Sequence, residues 1–559
     1  RLLLSSESSK RSSKGMTLSV NSSPSSRSAL RRSWDMIAPY RRKVFLGVFC
    51  ALLATFFSVV SSYTLRILVD DILPAGKIQM LWPVQFVFIG AVFAGSLLSI
   101  AQSILFAQAS EGAQCDLRRS LFRRILDADP LARLKKTDAM LLSAVHYQVD
   151  TLSGILENGI PGILVSAIDI CVTLLVMLAL DWRLTLLSLP VFPVLFLLNA
   201  LIRTRVEAVQ KRSQMSRQNL SEILTDASIG SATVETYRLT DYILGRFNTQ
   251  AASVADNAVR LQALYRIMGL ISWAMIMVPY QAILYGIGGS WLITSGSPTI
   301  GLLLIFANFT NHLIQPVMSL TSISNSIGSA QAAFSLLDEF EDSLPRKEIP
   351  NYPQAPAGLA AQATGLTYSY DPHTPPCLEN LSFRIPSGSC TLLWGNSGCG
   401  KSTLLKLLFQ QYSLADVNML SLCRHARWGY FPQEPHMLRL SLLEHFRLVR
   451  PDIREPEIWA LLENFSVAEP IRRDPAGLDK LMRRTEGEFS LGEYRRLCLA
   501  VFWAADFDVL LLDEPTASLD VENIQAIVRA IARLKGGKTL IIASHDNALQ
   551  ANADRIIQL

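Results

Sequence analysis

Long apolar runs recur through the first 320 residues. The clearest is Val44–Leu65, 22 residues without a formal charge, where a bilayer core needs about 20. Five more read as spans: Leu81–Ala107, Asn158–Leu180, Leu184–Ile202, Ile267–Leu292 and Thr299–Leu320, the last after a turn at Ser295-Gly296-Ser297-Pro298. A buried core helix explains one such run better than it explains six. An even number of spans puts both ends of region 41–340 on one side of the membrane. The segments after spans two and four keep helical periodicity with hardly any Gly or Pro, which predicts long helices continuing out of the bilayer.

Beyond Glu341 the pattern changes. Glu341-Asp342-Ser343-Leu344-Pro345, then Pro350, Pro353 and Pro356, predict a polar linker over 341–357. From 358 to 559, short apolar runs alternate with amphipathic helices and Gly/Ser/Asp turns, the pattern of an α/β domain with a largely parallel sheet. The expected fold is a membrane all-α domain of six transmembrane helices plus an α/β NTPase domain.

Composition agrees. Of 559 residues, 50% are hydrophobic and only 18% charged, too apolar for an ordinary soluble enzyme, in which about a quarter are charged. A net charge of +5 gives no argument for nucleic acid. Eight cysteines without a CxxC pair argue against a disulfide scaffold or zinc site. Placement of charge matters more than its sum. Basic residues crowd two segments, Arg118–Lys136 and Arg203–Arg266, while the opposite loops hold few, so the positive-inside rule makes the basic segments and both termini cytoplasmic. Residues 1–40 are basic and Ser-rich, with Arg1, Lys10, Arg11, Lys14, Arg27, Arg31 and Arg32 against a lone Glu7 before Asp35. They read as a disordered leader, with a mitochondrial transit peptide as the alternative. The sequence opens at Arg1, with Met16 an alternative start.

The chemistry lies in the α/β region. A strand at Ser389–Trp394 runs into Gly395-Asn396-Ser397-Gly398-Cys399-Gly400-Lys401-Ser402-Thr403, matching G-x-x-x-x-G-K-[ST] at a strand-to-helix junction. Such a loop curls backbone N–H groups around phosphates beneath a helix dipole. Lys401 would reach the β and γ phosphates and Ser402 would ligate Mg²⁺. Downstream, the apolar strand Val509–Leu512 delivers Asp513 and Glu514 to its C-terminal end, where ligands bind in open α/β sheets. Asp513 would hold the Mg²⁺ and Glu514 would polarise the attacking water.

These residues carry a resemblance. The lysine loop, Gln433 after Tyr430-Phe431-Pro432, Phe489-Ser490-Leu491-Gly492-Glu493, Asp513-Glu514-Pro515-Thr516, Ala517-Ser518-Leu519-Asp520 and His545 follow the order seen in nucleotide-binding domains of ABC transporters. With six spans before them, the chain from about Ser33 resembles a half-size ABC exporter. The resemblance implies ATP and Mg²⁺ as cofactors and adenine stacking on Tyr370. It implies that Gln433 couples Mg²⁺ and water to the membrane domain, that His545 contacts the γ-phosphate, and that Asp520 sits at a dimer interface. Ser490 and Gly492 would cap the γ-phosphate held by a second subunit, identical or different, so each site needs two chains. Arg133–Asp138 and Ala232–Leu239 resemble coupling helices, with ordinary solvated helix faces as the equal reading.

The sequence also departs from the family pattern. The usual Leu-Ser-Gly-Gly-Gln is Phe489-Ser490-Leu491-Gly492-Glu493, which places an acid near a polyphosphate. Ala500-Val501-Phe502 replaces the usual Ala-Arg-Ala, the Lys401-to-Gln433 spacing is short, and Leu559 precedes the last strands and helix expected. The expected function is ATP-driven export of an unidentified lipid, peptide or drug-like substrate. The alternatives are a weakly hydrolysing regulatory or channel subunit and an importer of the same topology. The bacterial inner membrane is the expected location, with the mitochondrial inner membrane as alternative. Within the spans, Asp169 either lines a substrate path or makes a helix–helix hydrogen bond, and His312 reads as structural.

Overall fold

A computed structural model describes residues 29–559 except 137, 271–272, 275–276, 295–299, 349, 372, 483–488 and 518. The leader up to residue 28, the turn Ser295–Pro298 and Ser518 lie outside the described residues. The chain divides into two units, Arg1–Leu126 with Lys136–Leu344, and Asp127–Lys135 with Pro345–Leu559.

The first unit is helical. Its long helices are Arg41–Arg66, Ile78–Asp127, Val191–Ile229, Thr240–Leu270 and Ile300–Asp342, with Ile160–Leu180 shorter. Ile78–Asp127 has 50 residues, about 75 Å at 1.5 Å per residue against a hydrocarbon core of about 30 Å. It therefore continues its span well past a bilayer, as its periodicity predicts. Among the described residues three helices are long and apolar enough to cross a membrane: Ala29–Ile72, Ile78–Asp127 and Met140–Leu180. The expected fourth span is broken near Pro190 into Trp182–Ser188 and a helix from Val191. The fifth includes Val278–Ile283, a π-helical turn at Leu284–Gly288 and Gly289–Thr294, and passes through residues outside the described set. Exposed Phe45, Phe49, Phe86 and Phe93 form a surface suited to lipid rather than water. Inside the unit, Leu284, Ile305 and Phe306 are fully buried. The Tyr280 hydroxyl lies 2.7 Å from Ser188 Oγ and 2.8 Å from Thr310 Oγ1, so one side chain ties three helical segments.

The second unit holds two sheets. Its strands are β1 (Leu359–Tyr368), β2 (Leu378–Pro386), β3 (Cys390–Trp394), β4 (Leu420–Leu422), β5 (Trp428–Phe431), β6 (Val509–Asp513), β7 (Thr539–Ala543) and β8 (Arg555–Gln558). β2-β1-β4 form an antiparallel sheet, and β5-β6-β7-β3-β8 a parallel one. Every residue of β6 and β7 is buried, which is why these strands read as unbroken apolar runs rather than alternating ones. Registers Leu393↔Ala543 and Asp513↔Ala543 bring the C-terminal ends of β3, β7 and β6 level. The short helix Pro130–Leu134 belongs to this unit, with Asp129 as its N-cap and Leu131 packed on the core below β1.

Candidate nucleotide site

Three neighbouring strand ends build the site. β3 leads into the phosphate loop, which closes on the helix Lys401–Leu408. Gly398 and Gly400 have φ of +85° and +97°, a region that side chains with a Cβ rarely adopt. At Gly400 a Cβ would also lie 2.6 Å from Leu378 Cδ2 and 2.9 Å from the Cys377 carbonyl. Only glycine fits there. Lys401 is 5% exposed, and its ammonium donates to the carbonyls of Gly395 at 2.8 Å and Asn396 at 3.0 Å. A buried cation thus spans the mouth of a loop formed by Gly395, Asn396, Ser397, Gly398, Cys399 and Gly400, with carbonyls standing where an anion would compete.

β6 supplies the carboxylates. Ser402 Oγ donates to Asp513 Oδ1 at 2.8 Å, and the Tyr430 hydroxyl donates to Oδ2 at 2.9 Å. Burial pushes the Asp513 carboxyl above its ordinary range, against the pull of those two hydrogen bonds. Burial first, then the Asp513 charge, raises the Tyr430 phenol, which keeps it a donor. Glu514 follows the strand at φ +47°, a strained conformation for a non-glycine residue and one that clusters at functional sites. Its Oε1 lies 3.9 Å from Lys401 Nζ and 3.2 Å from Nδ1 of His545, which follows β7. Lys401, Ser402, Asp513, Glu514 and His545 are therefore one cluster.

The remaining expected residues are placed as follows. Tyr370, 47% exposed, lies with its hydroxyl 2.6 Å from Thr403 Oγ1 and its ring edge-on to Tyr368 and Tyr412. Nearly half of this aromatic side chain is thus open to solvent beside the phosphate loop. Gln433 is exposed, and the contact that fixes its loop is through its backbone carbonyl, which accepts from Arg495. Ser490 caps the helix Leu491–Ala504, its hydroxyl accepting from the Glu493 N–H at 3.2 Å while Glu493 Oε2 accepts from the Ser490 N–H at 2.9 Å. Glu493 thus completes a capping box. This helix-starting role is a physical reason for an acid at a position where the sequence suggests only like-charge repulsion. Gly492 is buried against Leu519 and Asn523. Asp520 caps the helix Val521–Leu534 by accepting from the Asn523 N–H at 2.8 Å.

Sequence reasoning missed two residues. Tyr430 holds Asp513, and only its position three before Gln433 hinted at it. Arg495, 6% exposed, donates to the carbonyls of both Gln433 and Ala517. It ties the loops after β5 and β6 to the helix that Ser490 starts. No motif signals that role.

A glycine-and-lysine phosphate loop facing paired carboxylates across a parallel sheet defines a P-loop nucleotide-binding domain, here fused to a helical membrane domain. Family comparison agrees: residues 44–317 match the family model described as ABC transporter transmembrane region, and residues 378–517 match the one described as ABC transporter. The chain belongs to the ABC transporters, with its membrane region fused to its ATPase domain. It is 24% identical over 95% of its length to an ATP-dependent lipid A-core flippase of Syntrophus aciditrophicus, covering 89% of that protein. It is 23% identical over 95% of its length to the uncharacterized ABC transporter ATP-binding protein YfiC of Bacillus subtilis, covering 89% of it. Among solved structures, a bacterial Atm1-family ABC exporter with ATP bound aligns with a TM-score of 0.73 at 20% identity, over 93% of this chain and 94% of that one.

Proposed function

We propose that this chain is a half-transporter that hydrolyses ATP to export a substrate across a membrane, working as a dimer with its ATPase domain in the cytoplasm. The observation that carries the reading is the Lys401–Glu514–His545 cluster beside the Ser402–Asp513 pair. ATP fits because the loop glycines leave room for backbone approach and Lys401 presents a buried cation at the mouth of the loop. Magnesium fits because one carboxylate and one hydroxyl suffice when phosphates supply further ligands; Asp513 and Ser402 would hold it, and its charge would offset that of the phosphates. Tyr430 keeps the Asp513 carboxylate oriented. Glu514 accepts a proton from the attacking water, and His545, bonded to the same carboxylate, fixes its direction. Because the reaction depends on positioning and electrostatics more than covalent chemistry, the strained backbone of Glu514 is part of how the base is aimed. Ser490 and Gly492 complete the site of a second subunit, and the basic segments place the ATPase domain inside. Six spans, from Val44 to Leu320, carry the chain across the bilayer, joined through linker 341–357 to the domain at 358–559. The relatives' setting favours the bacterial inner membrane.

ATP turnover by the purified chain in lipid nanodiscs, with Glu514→Gln beside it, tests this reading. Turnover that the variant lowers by about 10²-fold or more while ATP binding persists supports it. Turnover equal in both, or no ATP binding by either, sinks it.

A further inference from the structure

The membrane unit contains a cavity of about 810 Å³, with a second of about 480 Å³ beside it. Asp169 and Gln102 line both. The larger one is of a size that takes small molecules. Its wall combines apolar side chains such as Val92, Ile100 and Phe309 with hydrogen-bonding groups, among them Asn308, Asn311 and His312, the mixture that an amphiphile selects. Charge is one-sided. Asp169 and Glu157 face the two cavities, and among the described lining residues there is no Lys or Arg. Asp169 accepts a hydrogen bond from Thr55, and His312 Nε2 lies 3.4 Å from Ser58 Oγ. A hydroxyl thus satisfies part of the carboxylate; among the described residues no Lys or Arg pairs with it, and the one basic group in electrostatic reach is the His312 imidazole on the same wall. An ionised carboxylate inside a membrane domain is costly without a partner, and such groups face cavities and mark substrate paths.

We propose that this cavity binds a cationic cargo, a small amphiphile bearing an amine or guanidinium group. Its charge pairs with Asp169, and its polar atoms meet Asn308, Asn311 and His312. Anionic ligands are repelled by the same carboxylates. The word cargo rests on the export reading above; the binding preference does not, since it requires no ATP.

The test uses the full chain in nanodiscs of zwitterionic lipid, with empty discs subtracted, and three dansyl reporters of equal chain length ending in an amine, an N-acetyl amide or a carboxylate. Fluorescence anisotropy reads binding without nucleotide. The amine is expected to bind at least about tenfold more tightly than either analogue, the scale of one charge-assisted hydrogen bond. Asp169→Asn removes that preference and Asp169→Glu retains it. Equal binding of the three reporters, or a preference that survives Asp169→Asn, overturns the proposal. If the asparagine variant fails to fold, the comparison of reporters on the unaltered chain decides alone. ATP turnover on the same discs separates the two readings: a chain that selects the cation without hydrolysing ATP keeps this site and loses the transporter, and the reverse result does the opposite.

Discussion

The Tyr430 hydroxyl donates to Asp513 Oδ2 at 2.9 Å while Ser402 Oγ holds Oδ1 at 2.8 Å. Both oxygens of a buried carboxylate are thus fixed by residues from different elements, one on the helix that follows the phosphate loop and one on β5. Because both hydrogen bonds pull the Asp513 pKa down against burial, removing one raises it further. Tyr430→Phe is expected to move the acid limb of the ATPase pH profile to higher pH, with plateau turnover largely kept. An unshifted limb would show that the phenol does not act on this carboxylate.

Asp513 carries a second consequence. Its folded pKa lies above the unfolded value of about 3.9, so the folded state favours the protonated form. Stability linked to that proton is fully present below the unfolded pKa and is lost as pH rises through the folded one. At pH 7.5 the nucleotide-free protein therefore bears the cost of a buried charge. Asp513→Asn is expected to raise its unfolding temperature by a few degrees at pH 7.5, with the gain disappearing near pH 4, while ATP turnover is abolished. Intrinsic fluorescence during heating, without nucleotide, would contradict this if the variant melted no higher than the parent chain at pH 7.5.

Arg495 joins two loops that both border the site. Burial lowers its pKa, and the nearby carboxylates Glu514 and Asp513 oppose that, so it stays a cation. A lysine keeps the charge, but its single nitrogen cannot reproduce the two separate guanidinium nitrogens with which Arg495 reaches the Ala517 and Gln433 carbonyls. Arg495→Lys should cost about 0.5–1.5 kcal/mol of stability by removing one hydrogen bond to a partly exposed carbonyl, and should lower kcat more than KM for ATP. Denaturant unfolding and steady-state kinetics read the two effects separately; an unchanged kcat would reduce Arg495 to a packing residue.

How far the sequence reaches can be seen in these same residues. Lys401 and Ser402 were legible from the glycine-and-lysine motif spacing after a strand, and Asp513 and Glu514 because they end an apolar run. The membrane helices were legible as charge-free runs. The irregular turn at Leu284–Gly288 was not, since a π-helical turn leaves the hydrophobic pattern almost unchanged; the break at Pro190 has a proline to mark it, inside a run that stays apolar on both sides. Arg495 was invisible because its partners are carbonyls 62 and 22 positions away, and a backbone acceptor has no letter in the sequence. Glu493 was misleading for a related reason: its neighbour is the N–H of Ser490, not only a phosphate.

That capping box yields the last prediction. If the Glu493 carboxylate serves mainly to start the helix Leu491–Ala504, then glutamine, the other residue that completes such a box, can take its place. Glu493→Gln should leave the unfolding midpoint nearly unchanged and ATP turnover at or above that of the parent chain, since a negative charge next to Ser490, proposed to cap the second subunit's phosphate, is removed. Ser490→Ala should cost about 0.5–2 kcal/mol, as loss of an N-cap does, and should also lower turnover because the hydroxyl expected to reach the second subunit's nucleotide is gone. A drop in turnover for Glu493→Gln with its midpoint intact would mean that the acid acts on the nucleotide itself. Steady-state ATPase and denaturant unfolding of the two variants side by side distinguish these outcomes.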